Sequence, residues 1–204
     1  IEDLLAYEGI RKVKELWLDR NEFGNEGVEA LANSSQLKRL LVLSLAHNNL
    51  TNYSAQSIAV SPHLGQLQKL FLQSNEIGLE GLHAFTKSET LSSLKLLYLN
   101  LNPIGSAGAK ILAGESKLQS LEELYLQNSG LALEGVKALC ESGNFEKLTL
   151  LSLAGNGLRD NAVDLLCRSK AFPRLFTLDL YHNRISDQAV DLVNASRNLR
   201  SVRA

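Results

Sequence analysis

Apolar and polar positions along this chain recur in a fixed unit of 27 residues. The pattern L-x-x-L-x-L-x-x-N starts at Val13, Leu40, Leu67, Leu94, Leu121, Leu148 and Leu175, with no insertion between copies. Every apolar site of that pattern is leucine except Val13. The ninth position reads Asn21, Asn48, Asn75, Asn102, Ser129, Asn156, Asn183. Two residues on stands an apolar anchor: Phe23, Leu50, Ile77, Ile104, Leu131, Leu158 or Ile185. A small residue follows (Gly27, Ser54, Gly81, Gly108, Gly135, Ala162, Ala189), then Leu31, Ile58, Phe85, Leu112, Leu139, Leu166 or Val193. Each unit is led in by Ile10, Leu37, Leu64, Leu91, Leu118, Phe145 or Phe172. Self-similarity at this period marks stacked supersecondary units.

Within each unit the period changes. The alternating x-L-x-L-x stretch predicts a short strand, and the second half, as in 26–32 or 107–113, has apolar residues at helical spacing. Asn25, Asn52, Ser106, Asp160 and Ser186 are the expected N-caps of those helices. The small residue is expected to let the helix approach the strand layer. Strands stack about 4.7–4.9 Å apart, whereas helices need about 8–10 Å. Stacked units therefore bend with the strands inside. The prediction is an α/β right-handed solenoid, a horseshoe with a parallel concave sheet and convex helices.

These motifs resemble the leucine-rich-repeat family over essentially the whole chain. The helical second half, with G-x-x-x-L as in Gly27 to Leu31, is similar to the ribonuclease-inhibitor-like subclass. That subclass also supplies repeats of many cytosolic immune sensors and some bacterial effectors. The resemblance implies that the asparagine ladder Asn21, Asn48, Asn75, Asn102, Asn156 and Asn183 is structural, its amides bonding backbone groups of adjacent turns, which need partners when buried. Ser129 is too short for that gap. A local adjustment or a water is expected there, with Asn128 as a possible compensator.

The organisation expected is one solenoid domain over 1–204. Residues 1–12 form a partial repeat, seven units start at 13, 40, 67, 94, 121, 148 and 175, and 199–204 form a partial strand with Leu199, Val202 and Ala204 in register. Neither end carries an obvious polar cap, and the chain has no methionine. The expectation is a segment of a longer array, or less simply an oligomer joined through uncapped ends.

Composition narrows the function classes. A net charge of -1 argues against a nucleic-acid surface, and 45% hydrophobic with 21% charged residues excludes a disordered chain. No apolar run approaches a membrane span. Cys140 and Cys167 occupy equivalent positions on adjacent helices, too far apart for a disulfide, and read as small, buried, reduced side chains. That favours a reducing, cytoplasmic compartment. Sequons at Asn33, Asn49, Asn52 and Asn194 read as chance matches. His47 and His182 lie five repeats apart, while His63 and His83 fall outside the strands. No ligand spacing, phosphate loop or nucleophile motif is present, so no metal, cofactor or enzymatic activity is expected.

What remains is the concave face, built from the third, fifth, seventh and eighth positions of each unit. The fifth reads Trp17, Ser44, Phe71, Tyr98, Tyr125, Ser152, Asp179, against 6% aromatic residues overall. With Asp19, Arg20, His47, Gln73, Asn100, Gln127, Tyr181 and His182, these aromatics and Asp179 form the candidate site. Exposed Trp and Tyr among scattered polar groups suit a protein hot spot; the plainer reading is a cross-strand stack that shields the sheet. The function expected is non-catalytic recognition of a protein or peptide. The alternatives are a sensor or autoinhibitory array of a larger regulatory protein, a self-assembling solenoid, and a small-GTPase activator, which would be expected to carry an acidic tail.

Overall fold

The computed structural model describes residues 1–196 and 199. Seven strands form one parallel sheet in sequence order: β1 (Glu15–Trp17), β2 (Val42–Ser44), β3 (Lys69–Phe71), β4 (Leu96–Tyr98), β5 (Glu123–Tyr125), β6 (Leu150–Ser152) and β7 (Thr177–Asp179). After the short α1 (Glu2–Ala6), one helix follows each strand: α2 (Gly24–Asn33), α3 (Asn52–Ala59), α4 (Leu79–Lys87), α5 (Gly105–Ala113), α6 (Ala132–Cys140), α7 (Asp160–Arg168) and α8 (Asp187–Ala195). Each strand residue pairs with its equivalent in the next unit, as in Leu16 with Leu43, Leu43 with Leu70 and Leu70 with Leu97. In every strand the middle leucine points into the layer between sheet and helices and is buried. The structure is an α/β leucine-rich-repeat solenoid.

The core is a ladder rather than a centre. Apolar residues at the first, fourth and sixth positions of the unit, the anchors and the lead-in residues pack together along the array, buried in the middle units and partly exposed at Val13, Leu18, Phe23 and Ile185 in the end units. Phe145 and Phe172 stack at 5.8 Å between ring centroids within it. One equivalent helix position is fully covered in every unit from α2 to α7: Val28, Ala55, Leu82, Ala109, Val136 and Val163. The equivalent Val190 of α8 is 39% exposed, because among the described residues no further helix stacks upon it. Leu199 is buried against this ladder, whereas Val202 and Ala204, the rest of the expected partial strand, lie outside the described residues.

Three polar ladders stitch neighbouring units. In the first, each asparagine amide serves two turns. Asn75 Oδ1 accepts from the backbone N–H of Asn48 and Leu50, and its Nδ2 donates to the carbonyls of Leu45 and Leu72. Asn48, Asn102, Asn156 and Asn183 make the same kinds of bond. Among the described residues no strand precedes β1, and the Asn21 amide donates to the Asp19 carbonyl of its own turn. At Ser129 the turn adjusts through its backbone: Ile104 N–H donates to the Asn102 carbonyl around Pro103, and Gly105 N–H donates to the Ser129 carbonyl. Asn128 makes no such substitution; its amide oxygen lies over Gly155, where a Cβ would fall 2.0 Å from it.

The second ladder corrects the capping expectation. Of the five expected caps, Ser186 alone caps its own helix, accepting from Ala189 N–H, while Thr51 caps α3 by accepting from Tyr53 N–H. Asn52 instead accepts from Gly78 and Gly81 N–H in the following unit, Asn25 bonds Thr51 and Ser54, and Asp160 bonds Ser186. Ser106 donates to the Leu131 carbonyl. These side chains sit at the first or second residue of their helices, past the cap, and face the next helix start. The small residue is likewise corrected. A Cβ on Gly81 would fall within 3 Å of Ile77 and Ala55, so smallness serves packing against the anchor and the preceding helix, not the strands.

The third ladder closes the helix ends. Ser61, Ser88, Ser142, Ser169 and Ser196 donate to the carbonyls of Ala32, Ala59, Ala113, Cys140 and Cys167 in the preceding unit. These carbonyls belong to helical C-termini that lack intrahelical partners. Where Glu115 replaces the serine, Lys117 N–H reaches the Thr86 carbonyl instead.

Candidate functional site: the concave face

A strand residue whose neighbours point inward must point outward, so the fifth position of every unit faces away from the helices. The aromatic residues there form one row. Trp17 meets Phe71 at 5.3 Å between centroids, Phe71 meets Tyr98 at 5.8 Å, and Tyr98 stacks on Tyr125 at 4.4 Å and 21°. Trp17 and Phe71 are not on adjacent strands: both pair with Ser44 of β2, which lies beneath their contact and is fully buried. Trp17 keeps 57% of its surface exposed, whereas Phe71, Tyr98 and Tyr125 are half-buried.

Serine and carboxylate pairs bracket the row. At one end, Asp19 Oδ1 accepts from Ser44 Oγ and, at 2.8 Å, from Ala46 N–H. At the other, Asp179 Oδ2 accepts from Ser152 Oγ at 2.7 Å and from Gln127 Nε2 at 2.9 Å, while its Oδ1 accepts from Tyr181 N–H at 3.0 Å. Tyr125 donates to Glu123 Oε2 at 3.0 Å. Burial raises the Tyr125 phenol pKa well above its ordinary value, and the bond to Glu123 raises it further. That hydroxyl therefore stays a donor over the physiological range. Among the described residues, ion pairs join Lys87 to Glu115, Lys95 to Glu122, Lys117 to Glu89 and Arg168 to Asp164; none reaches Glu15, Asp19, Glu123 or Asp179.

The face is less open than the alternation implied. Val42, Ser44, Ala46, Leu96, Asn100, Ser152 and Ala154 are buried, covered by the larger side chains around them. Asn100 thus leaves the set of exposed amides; its Oδ1 accepts from Gln127 N–H at 2.7 Å. Gln73 keeps a buried Oε1 with no partner. Arg20, His47, Leu101, Tyr181 and His182 are exposed, and Tyr181 meets the His182 ring edge-on at 4.7 Å.

Two features escaped sequence reasoning. The eighth position is left-handed in every unit: Arg20, His47, Ser74, Leu101, Asn128 and His182 have φ between 50° and 58°, and Gly155 has 67°. Their side chains leave from a turn at the rim, not from the strand. A row that mixes Arg, His and Leu carries no glycine signal, so the backbone demand is hidden. The serine–carboxylate brackets were legible only as two serines in an aromatic row, each with an aspartate near the same position of a neighbouring unit.

Among the described residues no group of His, Cys, Asp and Glu has the arrangement of a metal site, and no helix is long and apolar enough to cross a membrane. Cys140 and Cys167 remain thiols and are half-buried rather than buried. Burial pushes the Cys140 thiol up to about 11, and Cys167 moves in the same direction for the same reason.

Fold and face together define a leucine-rich-repeat solenoid with an open aromatic strip on its sheet. A leucine-rich-repeat family model matches residues 9–32, 90–113 and 117–140. Among solved structures, a chain in the crystal structure of the yeast Rad7 and Elc1 complex shares the fold, with a TM-score of 0.58 and 22% identity. The match covers 83% of this chain and 43% of that one, so this chain spans less than half the length of its structural relative. No curated protein matches the sequence.

Proposed function

We propose that this chain is a non-catalytic recognition module that binds a protein or peptide on its concave face. The observation that carries the reading is the continuous aromatic row from Trp17 to Tyr125 on an open sheet. Aromatic side chains dominate binding hot spots because they offer large contact area at small entropic cost. Tyr98 and Tyr125, on the neighbouring strands β4 and β5, are its proposed anchors, with Trp17, Asp19, Phe71, Gln127, Asp179 and Tyr181 around them. The structural relative is crystallised in a protein complex, which agrees with an interaction role. The seven units of 27 residues and their helical halves favour the ribonuclease-inhibitor-like subclass. A reducing, cytoplasmic compartment fits the two thiols and the Asn52 sequon, whose amide is already bonded to Glu80, Gly78 and Gly81.

The test is affinity capture with the chain and with a Tyr98→Ala/Tyr125→Ala double variant. The double variant loses the captured partner. Loss of the two ring pairs Phe71–Tyr98 and Tyr98–Tyr125 removes about 0.5–1.5 kcal/mol each, so its melting temperature falls by several degrees while the chain stays folded. Undiminished capture rejects the face, and the row is then a shield for the sheet.

A further inference from the structure

Resting on that reading, we propose that the occupant of the concave face is an extended segment that is basic towards both ends and apolar or aromatic between them. Three observations converge. First, the row of rings is a single side chain wide and runs across the strands, which matches one extended chain rather than a broad folded surface. Second, carboxylates stand on both flanks: Glu15 and Asp19 beside β1, Glu123 and Asp179 on β5 and β7.

Third, Asp19 and Asp179 are oriented entirely by neutral donors, the hydroxyls of Ser44 and Ser152, the Gln127 amide and backbone N–H groups. Such bonds fix a carboxylate in place but leave its charge whole, and none of the four acids is ion-paired among the described residues. Lys69 and Arg20 are the cations of this face, and both project to solvent. A half-buried carboxylate attracts a cation more strongly than a fully hydrated one. Guanidinium and ammonium groups are also attracted to Trp and Tyr faces. Rings and carboxylates therefore select the same residue types at the flanks.

The span sets the length. Strands stacked about 4.8 Å apart place β1 and β7 roughly 29 Å apart. An extended chain covers that in about nine residues at ~3.3 Å each.

The experiment pans a random dodecapeptide phage library on the intact chain and then titrates synthetic copies of the enriched peptides. Trp17 is the sole tryptophan and lies on the face, so its emission reports occupancy directly. Enriched peptides carry Arg or Lys near both ends of an apolar stretch. Their affinity falls about tenfold or more in Asp19→Asn/Asp179→Asn, which keeps the oxygen that accepts the serine hydrogen bonds. It also falls as salt rises. The exposed Lys69→Glu substitution strengthens binding, a gain that misfolding cannot mimic. Enriched peptides without basic ends, or unchanged affinity in the asparagine variant, overturn the inference. If such peptides still need Tyr98 and Tyr125, the recognition face stands without the charge preference; if they ignore the tyrosines, both readings fall.

Discussion

Asn75 shows how much one side chain does in this molecule. It is buried and holds four backbone groups from two units. Replacing it by alanine leaves buried donors and acceptors unpaired, at about 1–3 kcal/mol for each group that water cannot reach. Asn75→Ala is expected to cost on the order of 3 kcal/mol in urea denaturation, near the upper end for single substitutions. Asn183→Ala is expected to cost clearly less, because that residue is half-exposed and serves a terminal turn; equal losses at the two sites would contradict the ladder account. Ser129 marks the same logic in reverse. With a short side chain, the turns close through backbone groups alone, Ile104 N–H onto Asn102 and Gly105 N–H onto Ser129. That adjustment was expected from the length of serine, but its route was not, because it depends on Pro103 and on Gly105 at φ +61°.

At the scale of the element, strand and helix positions were readable because the period changes inside each unit. Four of the five expected helix caps were read one or two residues late, for a physical reason. Asn25, Asn52 and Asp160 have the side chains of good caps, but their oxygens serve the next unit's turn. Propensity identifies the chemistry of a side chain and not which backbone it meets. The serine ladder had a signal that went unused: Ser34, Ser61, Ser88, Ser142, Ser169 and Ser196 recur at one position of the unit. Cys140 lies at the end of α6, where three other units carry Ala32, Ala59 and Ala113, and its carbonyl receives Ser169. Its thiol is held up to about 11 from the ordinary 9.0 by burial. The folded state therefore disfavours the thiolate. Its contribution to stability is whole below pH 9.0 and is lost as pH rises towards about 11. Cys140→Ala is expected to remove part of the alkaline decline seen in thermal melts across that window. An identical decline in the variant would assign it to other groups.

Across the whole molecule, contacts run mainly between neighbouring units, with Trp17–Phe71 and Gln127–Asp179 reaching one unit further, so stability is close to a sum of unit and interface contributions. A break in the middle should then divide the array. Leu97 is fully buried on the central strand β4. Leu97→Ala is expected to cost about 2–5 kcal/mol and to lower the urea m-value, because the two halves no longer unfold together. Leu178→Ala, fully buried on β7, is expected to fray the last unit while the m-value holds. An unchanged m-value in Leu97→Ala would show a single cooperative block.

The amino-acid order alone determined the period, the strand and helix of each unit, the inward leucines and the aromatic row. All of these follow from side-chain spacing, which the chain states directly. Tertiary structure decided what each repeated position meets. It covered Ser44 beneath the contact of Trp17 with Phe71, buried Asn100, turned the eighth position into the left-handed region and set carboxylates on neutral donors at both flanks. These outcomes depend on distances between residues about 25 to 54 apart in sequence, which stacking brings together and no local pattern encodes.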